Sequence, residues 1–378
     1  MHYVLIDDSV PFDGYTSARR PLGGAEKAFA GLAAALVTRG HTVTALNKTP
    51  YPVTADGVRY KPIDELQQRP MDADVVIALR QPGLLGTVRK ARQRLLWVTA
   101  PPEYLTAPAN DSLWDSFAPT LMFVSAGQAA AYTGRLPYKV VPPGVRAPFY
   151  EPPAAAEPYP EMGIDPMTGT AIGTATSPET GPGPVAPVIA PPHAVVTTHP
   201  LHGLVWIVEI WRRLIHPQMP EARLAIYSAV LAKGLRGEEI AEPIRPVLER
   251  VKIAAGANVV VVDPRGDSGM AEIYRASRIH FYPGHAQDYA CWTLAESQAA
   301  GTPAVARAIG GVEERIVNGE TGYLVPDAAG AANVALEILR NDAVYRRLSA
   351  AAADVARRRT WAMVAAEVDE IAAGAPAA

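Results

Sequence analysis

Asp288 and Glu296 bound the segment Asp288-Tyr-Ala-Cys-Trp-Thr-Leu-Ala-Glu296. Asp288 falls in the loop after an apolar run at 279–282. Glu296 falls inside the helix that the spacing of 292–300 predicts, closed by Gly301. The first amides of that helix, at Cys291, Trp292 and Thr293, make a cradle for an anion. A carboxylate on each side of the cradle can accept hydrogen bonds from sugar or ribose hydroxyls. The plainer reading is an Asp that favours the helix start and a solvated Glu. A second group, Gly23-Gly24-Ala25-Glu26, lets backbone approach a ligand at another helix start, although any tight strand-to-helix turn reads the same way. A third, Gly310-Gly311-Val312-Glu313-Glu314, suits a loop passing close to a ligand, with Glu314 bracing a helix start; an ordinary turn fits equally. The eight histidines show no metal-ligand spacing, and His199 with His202 is too little for a site. Cys291 has no identifiable base and reads as a small packing residue.

These residues need a frame to converge. Tyr3–Ile6 reads as a buried strand, followed by the glycine turn, helical spacing from Ala25 to Val37, Gly40 as a C-terminal cap and a strand over Thr42–Leu46. That is a βαβ unit, and the runs Val75–Ala78, Leu95–Val98 and Leu121–Val124 continue the alternation. A second α/β unit runs through Ala194–Val196, helical Val205–Leu214, and strands Arg223–Tyr227, Val259–Val262, Ile279–Tyr282 and Ala304–Ala306, with a terminal helix over Trp361–Ala373. The fold class is α/β, with two Rossmann-like domains facing across a cleft. The expected organisation is a first domain over 1–150, a Pro-rich linker or disordered insertion over 151–192, a second domain over 193–358, and a helix and tail over 359–378. The segment 151–192 holds 11 of the 36 prolines.

Composition removes several classes. Of 378 residues, 49% are hydrophobic, which excludes a wholly disordered chain. With 35 Lys+Arg against 38 Asp+Glu, the net charge of -3 argues against nucleic acid as a partner. One cysteine permits no internal disulfide, no apolar run is long enough to span a bilayer, and no secretory signal is visible, so a cytoplasmic location is expected. Arg80, Arg89, Lys90, Arg92 and Arg94 read as a solvated helix face, with peripheral contact to anionic headgroups at the inner membrane face as the alternative.

Taken together, the motifs resemble those of the family 4 (group 1) glycosyltransferases of GT-B architecture. The resemblance rests on Gly23-Gly-Ala-Glu26, Arg39-Gly-His-Thr-Val43, Val141-Pro-Pro-Gly-Val145, the Asp288 to Glu296 segment running into Ala299-Ala-Gly-Thr-Pro-Ala-Val305, Gly310-Gly-x-x-Glu314, and Asn318-Gly-Glu-Thr-Gly-Tyr-Leu-Val325. It covers the chain apart from 151–192. It implies transfer of a sugar from a nucleotide diphosphate donor to a glycan or glycoconjugate acceptor, with retention of anomeric configuration and with neither metal nor cofactor. It places the donor ribose at Glu296 and the transferred sugar at Asp288. The diphosphate goes to the amides at 291–293 and to Gly23 and Gly24. It also implies a role in envelope polysaccharide or glycoconjugate assembly.

Two positions depart from the family pattern. The first acid is usually Glu and here is Asp288. The Arg and Lys of the family's phosphate clamp are absent from Thr197-Thr-His-Pro-Leu-His-Gly-Leu204, where His202 matches the Lys position and His199 is the nearest replacement for the Arg. Histidine titrates near ~6.5, so such a clamp is only partly charged at neutral pH; Arg265 is a candidate to compensate. On the acceptor side, Thr99, Glu103 and Tyr104 are candidate contacts. Two rival readings stand beside this one. The first is a catalytically impaired relative serving as a regulatory or partner-binding subunit, and the second is an epimerase on the same architecture. Oligomeric state is not legible.

Overall fold

The computed structural model describes residues 1–65, 71–151, 162–164, 171–173 and 190–374. The first domain contains strands β1 (His2–Ile6), β2 (Thr42–Asn47), β3 (Val53–Ala55), β4 (Val58–Pro62), β5 (Asp72–Leu79), β6 (Lys90–Val98), β7 (Thr120–Phe123) and β8 (Tyr138–Val140). They form one sheet in the order β3-β4-β2-β1-β5-β6-β7-β8. Every pair is parallel except β3 with β4. Tyr3, Val4, Leu5 and Ile6 are fully buried, as a strand covered on both faces requires. Between β9 (Met162–Ile164) and β10 (Ala171–Gly173) the pairing is antiparallel; most of the Pro-rich segment lies outside the described residues.

The second domain is a six-stranded, wholly parallel sheet of β11 (His193–Val196), β12 (Arg223–Tyr227), β13 (Val259–Val262), β14 (Ile279–Tyr282), β15 (Ala304–Ala306) and β16 (Gly322–Leu324), in the order β13-β12-β11-β14-β15-β16. The order reverses at β11 and β14, so the carboxyl ends of those two strands open a crevice suited to a ligand.

Six helices matter for the site: α1 (Gly24–Thr38), α2 (Ala126–Ala130), α3 (Leu204–Ile210), α4 (Asp267–Arg275), α5 (Trp292–Ala299) and α6 (Trp361–Ala373). The helix expected over Val205–Leu214 is α-helical only as far as Ile210 and widens to a π-helical turn over Trp211–Ile215. There the Trp211 indole N–H reaches the Ala257 carbonyl at 3.0 Å. α1 buries Ala28, Phe29, Leu32, Ala33 and Leu36, and the chain turns after it at Gly40 with φ +87°.

Two strands of chain cross between the domains side by side. The Val145 amide donates to the Arg359 carbonyl at 2.8 Å, and Val145 bridges Thr360. After the return crossing, α6 lies on α1, close enough that a Cβ on Gly31 would sit 2.6 Å from the Trp361 indole nitrogen. Phe149 is already buried in the second domain's core with Val195 and Tyr274. The covalent crossing therefore lies before Phe149, and the Pro-rich segment read as a linker begins after the chain has entered the second domain. Among the described residues, no helix is long and apolar enough to cross a membrane.

Candidate functional site

Glycine at position 24 sets how closely the two domains approach. A Cβ there would fall 2.3 Å from Cγ of Trp292, the first residue of α5 in the opposite domain. Gly23 is equally constrained, since a Cβ would meet the Glu26 carboxylate at 2.1 Å. The Gly23-Gly24 turn thus rests on the start of α5. Beside this contact opens a cavity of about 610 Å³, lined by Gly23, Gly24, Lys27 and Thr99 from the first domain and by His199, His202, Arg265, Asp288, Trp292, Thr293 and Glu296 from the second. One cavity therefore gathers the acid pair, the glycine turn, the two histidines and Arg265.

Asp288 is held from two sides. The Tyr282 hydroxyl donates to one carboxylate oxygen, and the Cys291 amide donates to the other at 2.9 Å. The three-amide cradle is corrected accordingly: the Cys291 amide is taken up by Asp288, and Cys291 itself sits at φ +48° with its thiol buried. Burial, followed by the charge of Asp288, pushes that thiol far above the ordinary range, which disfavours the thiolate that a nucleophile needs. Trp292 and Thr293 line the cavity, and their first-turn amides have no acceptor among the described residues.

Glu296 is not solvated. It is 8% exposed and accepts a hydrogen bond from the Lys27 ammonium, which reaches across from α1. Lys27 also lies 3.3 Å from Asp267 at the start of α4, and the Arg146 guanidinium lies 2.9 Å from the other oxygen of Asp267. Two cations and two carboxylates balance in a buried interdomain cluster. Burial works against the Lys27 charge, but Glu296 and Asp267 outweigh it and raise its pKa above the ordinary lysine value.

The histidines lie together on the cavity wall. The His202 ring stacks on His285 with centroids 4.1 Å apart, and His199 lies 5.2 Å from His202. Burial, and then the neighbouring His285, hold both His199 and His202 below the ordinary histidine value. Lys27 and Arg265 are the Lys and Arg residues among those lining the cavity. Lys27, Arg146 and Asp267 went unrecognised in the sequence, although Lys27 follows the Gly-Gly turn by one helical step.

The acceptor-side candidates separate. Thr99 lines the cavity. Glu103 is exposed outside it. Tyr104 instead braces the backbone, its hydroxyl donating to the Arg80 carbonyl at 2.8 Å. The basic set is not a helix face. Arg80 sits at φ +64° after β5 and pairs with Asp7 at 3.0 Å and Glu26 at 2.6 Å, while Lys90, Arg92 and Arg94 lie in β6. Arg94 is spent on the carbonyls of Leu85 and Val88. Glu314 does brace a helix start, but in the other domain: its carboxylate accepts from the Ala126 and Gly127 amides of α2 at 3.0 and 2.9 Å. Among the described residues, no group of three or more His, Cys, Asp or Glu residues is arranged to hold a metal ion.

Residues 194–341 match the family model described as glycosyl transferases group 1. A stretch of 104 residues is 35% identical to a phosphatidyl-myo-inositol mannosyltransferase of Mycobacterium leprae, covering 27% of this chain and 28% of that protein's length. Solved structures similar over nearly the whole chain include sucrose-phosphate synthase from Thermosynechococcus elongatus, with TM-score 0.68, 15% identity, and 99% and 98% of the two chains covered. The Anabaena protein HepE in complex with UDP and glucose gives TM-score 0.67 at 14% identity, covering 99% of this chain and all of the other. The two-domain arrangement is that of the GT-B glycosyltransferases.

Proposed function

We propose that this chain, whose residues 194–341 carry the group 1 glycosyltransferase match, transfers a sugar from a nucleotide diphosphate donor held in the interdomain cleft to a glycan or glycoconjugate acceptor. The observation that carries the reading is the convergence of Gly23-Gly24, the α5 start, Asp288 and Glu296 on one cavity at the strand-order reversal of the second sheet. The complex of the structurally similar HepE with UDP and glucose supports a nucleotide diphosphate donor. No comparison favours the impaired regulatory relative.

The chemistry follows from where charge develops. Breaking the bond between sugar and diphosphate builds negative charge on the leaving oxygen, and donors already in place lower that barrier most. The Trp292 and Thr293 amides, Arg265, and His199 and His202 once protonated are positioned to supply them. Glu296 takes the ribose hydroxyls, which requires Lys27 to leave it. Lys27 is then a mobile cation beside the diphosphate and stands in for the missing clamp. Asp288, fixed by Tyr282 and the Cys291 amide, orients the transferred sugar. Retention of configuration and independence of metal belong to the same proposal, supported by the family resemblance and by Lys27 and Arg265 on the cavity wall. Thr99 is the retained acceptor contact.

A hydrolysis and binding screen across UDP-, GDP- and ADP-sugars tests this. Slow hydrolysis of one donor, together with loss of transfer and at least tenfold weaker donor binding in Glu296→Ala, is expected from losing hydrogen bonds to a charged group worth about 1.5–3 kcal/mol. Unchanged donor affinity in that variant rejects the site. Binding of a donor with no turnover at all supports the impaired relative instead.

A further inference from the structure

A second cavity, of about 220 Å³, lies on the far side of α5 from the cleft. Ala295, Gln298 and Ala299 face it, whereas Thr293 and Glu296 face the cleft. Four arginines line it: Arg315, Arg357, Arg358 and Arg359. Two are neutralised within the protein. Arg357 pairs with Glu320 at 2.6 Å, and Arg359 forms a two-pronged pair with Glu367 at 2.8 Å. The other two are not. Among the described residues Arg315 donates to the Ala290 carbonyl at 3.0 Å, and its Nε is buried without an acceptor. Arg358 stacks over the Tyr150 ring at 5.2 Å, and its buried Nε also lacks an acceptor. Neither guanidinium has a carboxylate within ion-pair distance among the described residues.

Two of the carboxylates on the wall are hydrogen-bonded elsewhere, and Glu314 adds a through-space attraction to Arg315 without forming an ion pair with it. Glu314 is committed to the Ala126 and Gly127 amides, and Asp354 accepts from the Ala356 amide at 2.9 Å. Glu313, which also lines the cavity, is exposed. Buried guanidinium Nε–H groups without acceptors are costly unless something fills them, and the guanidinium fork matches a tetrahedral oxyanion. The volume is below that of usual drug-sized pockets of roughly 300–1,000 Å³, which favours a small anion over a whole nucleotide. We infer that this cavity binds a phosphate group, free or as a small phosphomonoester, between Arg315 and Arg358. The site abuts both interdomain crossings, since Pro143 and Val145 of the outward strand and Arg359 of the return strand line it. An anion there ties the hinge to the second domain.

The test titrates the full chain with inorganic phosphate, and separately with glycerol 3-phosphate, by calorimetry at constant ionic strength. Saturable one-to-one binding is expected, at least tenfold weaker in Arg358→Gln, intermediate in Arg358→Lys and unchanged in Arg265→Gln. Tighter binding of glycerol 3-phosphate supports the site with a phosphomonoester as its ligand, and tighter binding of inorganic phosphate supports it with the free ion. Hydrogen exchange on the unaltered chain gives a readout that needs no variant: phosphate should protect 313–317 and 352–361. No saturable binding overturns the proposal. So does loss of binding in Arg265→Gln with retention in Arg358→Gln, or protection confined to 197–203 and 264–268, because either result puts the ion in the cleft.

Discussion

Lys27 of the first domain donates to Glu296 of the second across the cleft, with both side chains 11% exposed. The same ammonium lies 3.3 Å from Asp267, so one cation bridges two carboxylates on different helices of the opposite domain, with Arg146 supplying the second positive charge at Asp267. The pair therefore joins two functions: it holds the domains together, and it occupies the carboxylate assigned to the donor ribose.

Removing the cation alone leaves the buried Glu296 without its ion-pair partner, while Asp267 keeps Arg146. Lys27→Met is expected to cost about 3–5 kcal/mol of stability, while Lys27→Met combined with Glu296→Gln recovers a large part of it. Urea denaturation of the two single variants and the double variant reads the coupling. Losses that simply add show that the pair carries no interaction energy.

Gly24→Ala drives a methyl into the Trp292 ring, where the nearest atoms stand at 2.3–2.6 Å. The domains must part or the indole must turn, at a cost of about 1–3 kcal/mol, as in other overpacked contacts. Weaker donor binding and a larger radius of gyration by X-ray scattering are expected, with recovery when Trp292→Ala is added. A Gly24→Ala chain with unaltered dimensions and donor affinity disproves the contact's role.

Donor binding should take up protons. His199 and His202 begin below the ordinary histidine value, and a diphosphate beside them favours the charged form and raises their pKa. A group whose pKa rises on binding strengthens the complex below its bound-state value and loses that contribution as pH rises through it. Donor affinity should therefore increase from about pH 8 to about pH 6. Calorimetry in buffers of different ionisation enthalpy measures the uptake directly. Flat affinity with no proton uptake removes the histidines from the diphosphate site.

Stability should fall on the acid side for a separate reason. His280 is fully buried, with its ring nitrogens 2.7 Å from the Ser297 hydroxyl and 3.0 Å from the Thr197 hydroxyl, and burial pushes its pKa down to about 3. The unfolded chain protonates this residue near ~6.5, so its contribution is intact above that pH and is lost progressively toward about 3. Between about pH 6.5 and 5 the loss is roughly 2 kcal/mol, at about 1.4 kcal/mol per unit. Comparing the pH slopes of the unaltered chain and His280→Gln checks it; identical slopes refute the assignment.

The frame was legible because buried parallel strands must be apolar on both faces and their helices on one. Ile279–Tyr282, Ala304–Ala306 and Trp361–Ala373 fall where the apolar runs end, and Gly40 and Gly301 mark helix ends at φ +87° and +82°. The turn to π-helix at Trp211 was not legible, because apolar spacing does not report which carbonyl each amide selects. Glu314 was legible as a brace but not for its target, since α2 lies nearly two hundred residues earlier in the chain.

The sequence by itself determined two α/β domains and singled out Asp288, Glu296, Gly23 and Gly24, which line one cavity between them, because local spacing and chemistry are written along the chain. Only the tertiary structure decided what those parts touch. It assigned the Cys291 amide to Asp288, brought Lys27 onto Glu296 and Asp267, left Arg315 and Arg358 without a carboxylate in ion-pair distance among the described residues, and withdrew Arg80 and Tyr104 into a bracing role. The physical reason is that a buried charge must be balanced by whatever the folded chain places within a few ångströms. That neighbour is set by how two sheets and their helices dock, not by distance along the sequence.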